Sequence, residues 1–145
     1  MKISFEKGGV LRKLSVFASV SVMTGALLLV SAPSASAAGS GCQVDGAVGS
    51  WSGSWASSTR IDPLSLYVAD VSADGHHPAV RLITRNNAGA IKSWSWHHIY
   101  GGNGDAKVWN TFASDSNGIA AATVEVAVFE GDDWLVADYC SWIYR

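Results

Sequence analysis

The 145-residue sequence has few charged residues, only two cysteines and three prolines. Charged types make up 15% of the residues, and no long run of like charge occurs, so a disordered acidic or basic tail is excluded. A large multidomain enzyme is excluded by length. After residue 37 the sequence contains no Gly-x-Ser-x-Gly, Ser-x-x-Lys or Cys-x-x-Cys motif. We therefore predict no catalytic residue and no cofactor.

The N-terminus is typical of an export signal. Lys2, Lys7, Arg12 and Lys13 precede an apolar run at 14–30, and a basic stretch before an apolar one marks a signal peptide. Ala35-Ser36-Ala37 fits the Ala-x-Ala pattern before a cleavage site. An uncleaved anchor is the alternative, because the run approaches the roughly 20 apolar residues that span a bilayer. We predict a signal peptide at 1–37 and a secreted, extracellular protein without stable membrane insertion.

Removal of that signal leaves an acidic chain. Residues 38–145 contain six Lys and Arg residues against eleven Asp and Glu residues, a net charge of −5. The few cations are scattered, whereas nucleic acids and anionic lipids are bound by clustered ones. We expect no nucleic-acid partner.

The two cysteines stand near the two ends of the predicted mature chain. An even number of cysteines in an exported protein indicates a disulfide, here Cys42 to Cys140. Such a bond closes a loop of nearly the whole domain and stabilises it by about 4–5 kcal/mol in the chain-entropy model.

Alternation of apolar and polar residues dominates the chain from Leu64 onward and predicts β-strands. The Gly- and Ser-rich segment 38–63 predicts an irregular lead-in or one short strand. Residues 38–145 are therefore expected to form one all-β domain, a small antiparallel sandwich or barrel-like fold of about six or seven strands with its core in 64–145. The predicted strands are 64–71, 79–85, 92–100, 107–112, 123–130 and 134–144. Two hairpins are expected among them, one formed by 79–85 and 92–100 and the other by 123–130 and 134–144.

Aromatic side chains are the most unusual feature of the composition, with seven tryptophans. On the predicted strand 92–100, alternation places Trp94, Trp96, His98 and Tyr100 on one face, which we expect to be the core face. Three other tryptophans lie in a loop-like segment or beside a turn and are candidates for ligand binding through exposed rings. These candidates are Trp51, Trp55 and Trp134.

Two pairs of histidines, His76-His77 and His97-His98, raise the question of a metal site. Adjacent strand residues point to opposite faces, so only one residue of the second pair could join a given site. A carboxylate such as Asp74 would also be needed, and the spacing matches no zinc pattern. We predict no metal. Glu125 and Glu130 fall on opposite faces by alternation, which argues against a pair of glycosidase carboxylates.

Several segments carry a family resemblance: 73–82 (ADGHHPAVRL), 93–98 (SWSWHH), 109–115 (WNTFASD) and 140–144 (CSWIY). They resemble the small secreted proteins of unknown function that are common in filamentous actinobacteria. The resemblance implies export and a compact β domain, and it supplies no active site.

Three functional hypotheses follow from these features. The first is a non-catalytic extracellular binding module that binds a carbohydrate, a cell-wall component or a protein through exposed aromatic residues. The alternative is a secreted inhibitor that presents a rigid loop, such as Gly101–Asp105 or Asp74–Pro78, to a foreign enzyme. A small hydrolase is a third hypothesis and requires a polar cluster that the linear sequence does not reveal.

Overall fold

The computed structural model describes residues 37–145, which form two antiparallel β-sheets that curl into a half-barrel. No helix occurs in this part of the chain. The ten strands are β1 (Ala37–Val44), β2 (Ala47–Ser57), β3 (Arg60–Asp70), β4 (His77–Arg85), β5 (Ile91–Ser93), β6 (His97–His98), β7 (Ala106–Ser114), β8 (Ala121–Glu130), β9 (Asp133–Tyr139) and β10 (Ile143–Tyr144). The all-β, antiparallel prediction is confirmed, with ten strands instead of six or seven.

The first sheet has the strand order β1-β2-β3-β7. β1 and β2 form a hairpin with a two-residue loop, because Val44 pairs with Ala47 across Asp45-Gly46. Gly46 has a φ of 85°, a conformation that glycine adopts without steric cost and that tight hairpin turns require. The Asp-Gly turn thus fixes the register of the first two strands.

The second sheet is built on β8 and β4, which pair along the full length of β4. Along each edge of this central pair lie two short strands, one after the other. β9 and β10 pair with different parts of β8, and β5 and β6 pair with different parts of β4. One half of the sheet therefore has the order β9-β8-β4-β6, and this half carries the candidate site.

The core lies between the two sheets. Leu64, Leu66 and Val68 of β3 face it from the first sheet, and the alternate residues of β4 and β8 face it from the second, including Leu82 and Val126. These side chains are almost completely buried. Burial of such aliphatic side chains is the main favourable contribution to folding.

The two sheets lie close together where Gly49 of β2 faces Val126 of β8. A Cβ added at Gly49 would lie 2.5 Å from Cγ2 of Val126, so a larger residue does not fit there without movement. The predicted disulfide is confirmed next to this contact, since Cys42 of β1 is bonded to Cys140. Cys140 follows β9, and the bond therefore links the two sheets covalently.

The prediction for segment 38–63 is wrong. This segment forms nearly all of β1, the whole of β2 and the start of β3, because the Asp45-Gly46 turn pairs two Gly- and Ser-rich strands whose hydrogen bonds compensate for their few apolar side chains. The signal peptide predicted at 1–37 lies, apart from Ala37, outside the described residues. Among the described residues, no helix is long and apolar enough to cross a membrane.

Candidate functional site

The outer faces of the two sheets differ in chemistry. The first sheet carries short polar side chains, the exposed Ser52 and the half-buried Ser50 and Ser65, and Ser65 donates a hydrogen bond of 2.6 Å to Oδ1 of Asn110; its edge strand β7 adds the exposed Val108 and Phe112. The second sheet instead has aromatic rings on its outer face in the β9-β8-β4-β6 half. A solvated sheet face ordinarily carries polar side chains, so the aromatic face is the one that needs an explanation.

These rings line a cleft of about 430 Å³, within the range of small-ligand sites. We call it the aromatic cleft, and its lining residues are Arg81, Trp96, His98, Tyr100, Phe129, Gly131, Asp132 and Trp134. Each of the four strands of this half contributes, directly or through an adjoining loop. The cleft is open to solvent, with Tyr100 73% and Trp134 61% exposed.

A break between β5 and β6 places one tryptophan in the cleft and another in the core. Residues 94–96 leave the regular strand geometry, and Trp94 packs against the main core while Trp96 packs against Phe129 on the outer face. Trp94 Nε1 donates a hydrogen bond of 3.1 Å to Oγ1 of the buried Thr84. The expectation that Trp94, Trp96, His98 and Tyr100 share the core face is therefore wrong, because it assumed an unbroken strand.

Phe129 is the buried centre of the aromatic cleft, and rings from three other elements surround it. Its centroid lies 5.3 Å from that of Trp96, 4.9 Å from that of His98 and 5.7 Å from that of His77. Tyr100 stacks on His77 at 4.5 Å and on His98 at 5.9 Å. Edge-to-face and offset pairs of this kind are favourable, and they hold the rings of the cleft in fixed orientations.

Arg81 and Glu125 form an ion pair in the floor of the cleft. Nε and Nη2 of Arg81 each lie 2.6 Å from Oε2 of Glu125, and Glu125 is only 2% exposed. The guanidinium carbon lies 4.3 Å from the ring centroid of Trp96. Arg81 is thus neutralised on one side and covered by Trp96 on another.

His98 is uncharged at neutral pH. Burial lowers the pKa of its imidazole, and the neighbouring His77 and His97 lower it further, whereas Asp132 has a weaker opposing effect. The pKa of His97, on the other side of the strand, is also lowered by burial and then by Lys107. His98 therefore offers the cleft a neutral ring with hydrogen-bonding capacity.

Asp132 is the exposed carboxylate of the cleft. It lies in the two-residue turn Gly131-Asp132, which joins β8 to β9 where Glu130 pairs with Asp133. No ion pair of Asp132 is found within residues 37–145. Phe129 pairs with Trp134 on either side of the same turn, so the hairpin places two rings and one carboxylate together.

The structure separates the three tryptophans predicted to bind ligand. Trp51 is 2% exposed and Trp55 8% exposed, and both belong to the main core. The expectation that they are exposed is wrong, because they share the inward face of β2, where Trp51 Nε1 also donates to Oγ of Ser40. Trp134 is exposed and lines the aromatic cleft.

Sequence reasoning missed Arg81, Trp96, Tyr100, Phe129 and Asp132 as members of one site. One part of the site could have been predicted, because Phe129 and Trp134 flank a short turn between two predicted strands and therefore lie next to each other in the hairpin. The contributions of Trp96 and Tyr100 depend on the strand break at 94–96, which the alternation of the sequence does not indicate.

The histidines and glutamates considered as metal ligands or catalytic groups do not form a common site. Within the described residues, no three side chains of His, Cys, Asp or Glu lie close enough to hold a metal ion, although His77 and His98 are neighbours. Glu125 is bound to Arg81, and Glu130 is exposed at the end of β8.

A second cleft, of about 460 Å³, lies between the turn after β4 and the segment after β7. Its lining contains Asn86, Lys92, Asp115 and Asn117 and no aromatic ring. Lys92 Nζ lies 3.1 Å from Oδ2 of Asp115, so the two charges across it satisfy each other. The aromatic cleft is the better candidate for a ligand site because its rings are exposed without a partner.

Comparison of the chain with models of known protein families and with curated protein sequences finds no match.

Proposed function

We propose that this protein is a secreted, non-catalytic binding module that binds a carbohydrate in the aromatic cleft. The observation that carries the proposal is the exposure of Trp134 and Tyr100 beside the buried ring of Phe129, in a cleft on the outer face of the second sheet. Flat aromatic rings stack on the apolar faces of pyranose rings, and burial of those faces favours binding.

The polar groups of the cleft suit the hydroxyls of a sugar. The Asp132 carboxylate accepts hydrogen bonds, the neutral His98 imidazole donates or accepts one according to its tautomer, since its Nδ1 is buried, and the backbone at Gly131 adds further polar groups. A few such groups among apolar ones are what orient a ligand in a pocket. Secretion is supported by the predicted signal peptide and by the Cys42–Cys140 disulfide, since such bonds persist in oxidising compartments.

The inhibitor hypothesis receives less support from Gly101–Asp105, the first of the two loops named for it. The Gly101–Asp105 loop is held by Asp70, whose carbonyl accepts from Gly104 N at 2.9 Å and whose N–H donates to Asp105 O at 2.9 Å. The loop is ordered, but its first four residues are three glycines and Asn103. Tight protein interfaces depend on large aromatic or arginine anchors, which this loop does not present.

The test is a titration of the purified protein with soluble glycans, followed by tryptophan fluorescence and calorimetry. We expect saturable binding of at least one glycan, and at least a fivefold loss of affinity in Trp134→Ala and in Tyr100→Ala, from about 1 kcal/mol per lost ring contact. Tyr144→Ala is the matched control, because Tyr144 is 64% exposed and lies outside the cleft. Absence of binding to every glycan, or equal losses in all three variants, would contradict the proposal.

A further inference from the structure

The charges of the aromatic cleft do not cancel. Arg81 is neutralised by Glu125, at 2.6 Å, and its guanidinium is covered by the ring of Trp96. His98 is uncharged at neutral pH. Asp132 remains as a carboxylate without an ion pair among the described residues, and Glu130 and Asp133 flank it along the turn. The cleft is therefore negative near neutral pH.

Cations over aromatic rings are a general feature of this protein. Five of the six Lys and Arg residues in 37–145 lie over a ring, at 4.0–5.3 Å from its centroid. Such contacts are favourable because the face of an aromatic ring is negative. The pairs are Arg60 on Phe112, Arg81 on Trp96, Arg85 on Trp142, Lys92 on Trp94 and Lys107 on Trp109.

Trp134 is the exception among the tryptophans. Two of the seven are almost completely buried, and four of the other five carry one of the cations named above. No Lys or Arg of residues 37–145 lies over the ring of Trp134, which is 61% exposed and two positions from Asp132. An exposed ring and an unpaired carboxylate at one turn form the two parts of a site for an ammonium group.

We propose that the aromatic cleft prefers a sugar that carries a free, protonated amino group, of the glucosamine type, over neutral sugars. The inference rests on the proposed function and specifies its ligand class. The pyranose face stacks on a ring of the cleft, and the ammonium lies against the Trp134 ring and donates hydrogen bonds to the Asp132 carboxylate. A primary ammonium has three donors, so it makes both contacts at once.

Three β-1,4-linked tetrasaccharides of equal length provide the test, because they differ only at the C2 substituent: an amino group in the glucosamine tetramer, an acetamido group in the N-acetylglucosamine tetramer and a hydroxyl in the glucose tetramer. Calorimetric titrations of the purified protein at pH 6.5 keep much of the amino sugar protonated and His98, whose pKa is lowered by burial, mostly uncharged. We expect the glucosamine tetramer to bind roughly tenfold more tightly than either neutral tetramer, from one cation–π contact and one charge-assisted hydrogen bond.

Asp132→Asn identifies the source of the preference, since it removes the charge and keeps the shape. We expect the preference to fall to within about twofold, because the affinity for the glucosamine tetramer falls much more than the affinities for the neutral tetramers, whose hydroxyls can still donate to the amide oxygen of Asn. Asp45→Asn is the matched control, because Asp45 lies in the corresponding two-residue turn between β1 and β2, away from the cleft. A preference of equal size in the Asp132→Asn variant would overturn the inference, because it would reflect the general negative charge of the protein.

The remaining outcomes separate the two proposals. Equal binding of the three tetramers would overturn the amino-sugar preference and leave carbohydrate binding in place. Binding of none of them and of no other glycan would contradict both. Acetylated tetralysine amide, a peptide with four ammonium groups, completes the set of probes. If it bound more tightly than the glucosamine tetramer, the ligand would be a lysine-bearing protein, and the sugar would be excluded as the preferred ligand.

Discussion

Trp94 and Trp96 lie on opposite faces of the second sheet although only Ser95 separates them. Trp94 packs on the main core and is hydrogen-bonded to Thr84, whereas Trp96 covers Arg81 in the aromatic cleft. In a continuous strand, two residues with one between them share a face. Because of the break between β5 and β6, Trp96 forms a wall of the cleft and Trp94 adds a ring to the core.

This arrangement predicts different results for the same substitution at the two positions. Trp94→Ala is expected to lower the free energy of unfolding by about 2 kcal/mol, less than for a completely buried tryptophan because Trp94 is half-buried. Its affinity for glycans stays unchanged. Trp96→Ala is expected to reduce that affinity at least fivefold. Urea denaturation and calorimetric titration of both variants measure the two effects. A folded Trp94→Ala protein with reduced affinity would contradict the assignment.

The disulfide leads to a second prediction. Cys42 and Cys140 are separated by 98 positions, so the bond restricts nearly the whole unfolded chain. We expect the double substitution Cys42→Ser and Cys140→Ser to lower the free energy of unfolding by about 4–5 kcal/mol, a large part of the stability of a domain of this size. Urea denaturation of the two proteins, with the wild type also measured in reductant, gives the difference. A loss below about 1 kcal/mol would show that packing between the sheets suffices.

The class of fold and the disulfide could be predicted from the sequence, because strand alternation is a local pattern and the disulfide follows from the number of cysteines. Alternation of side chains revealed the strands from Leu64 onward, and two cysteines in an exported chain indicated one bond. The predicted lead-in was wrong because glycine and serine make the apolar face of β2 hard to recognise. Trp51 and Trp55 are four positions apart and so share a face, and the Asp45-Gly46 turn gives their strand a partner. Both observations favour burial.

The candidate site could be predicted only where it depends on one hairpin. Trp134 was identified from its position beside a turn. Trp96 and Tyr100 reach the cleft through the break at residues 94–96, which lie outside the strands although Trp94 N still donates to Leu82 O, and where the ring of Trp94 is hydrogen-bonded to Thr84. The positions of these rings depend on contacts with β4, a strand outside segment 92–100. The alternation of residues 92–100 therefore could not reveal it.

The two half-buried histidines, His97 and His98, predict that acid lowers stability. Burial lowers the pKa values of His97 and His98 in the folded protein, so the unfolded chain, with histidine pKa values near 6.5, binds more protons. Stability is therefore full above about pH 7 and decreases as the pH falls through 6.5 toward the folded pKa values. Groups facing His98 are His77, Tyr100 and Asp132, and Lys107 faces His97.

Urea denaturation between pH 7.5 and pH 5.0 measures this dependence. The range excludes the region below about pH 4 in which Asp74 and Asp115, whose pKa values are lowered by hydrogen bonds from backbone N–H groups, become protonated. A His98→Gln variant is expected to show a smaller decrease than the wild type. A stability that rises on acidification over this range would contradict the lowered pKa values.

The ion pair in the floor of the cleft yields a prediction that joins stability to ligand choice. Glu125→Gln leaves the charge of Arg81 without its buried partner, and we expect the free energy of unfolding to fall by about 2 kcal/mol, less than for a fully buried pair because Arg81 is partly exposed. The freed positive charge also opposes an ammonium group. The affinity for the glucosamine tetramer is therefore expected to fall several-fold, while that for the glucose tetramer stays unchanged.

Glu130→Gln is the control for this last prediction, since Glu130 is exposed at the end of β8 and forms no ion pair within the described residues. The double variant Arg81→Leu with Glu125→Leu removes both charges, and such replacement of a buried pair by apolar residues is often neutral or stabilising. We expect it to recover most of the lost stability and the preference for the amino sugar. If the double variant kept its fold but lost the preference, Arg81 would be a ligand-binding group, and its neutralisation by Glu125 would not explain the charge of the cleft.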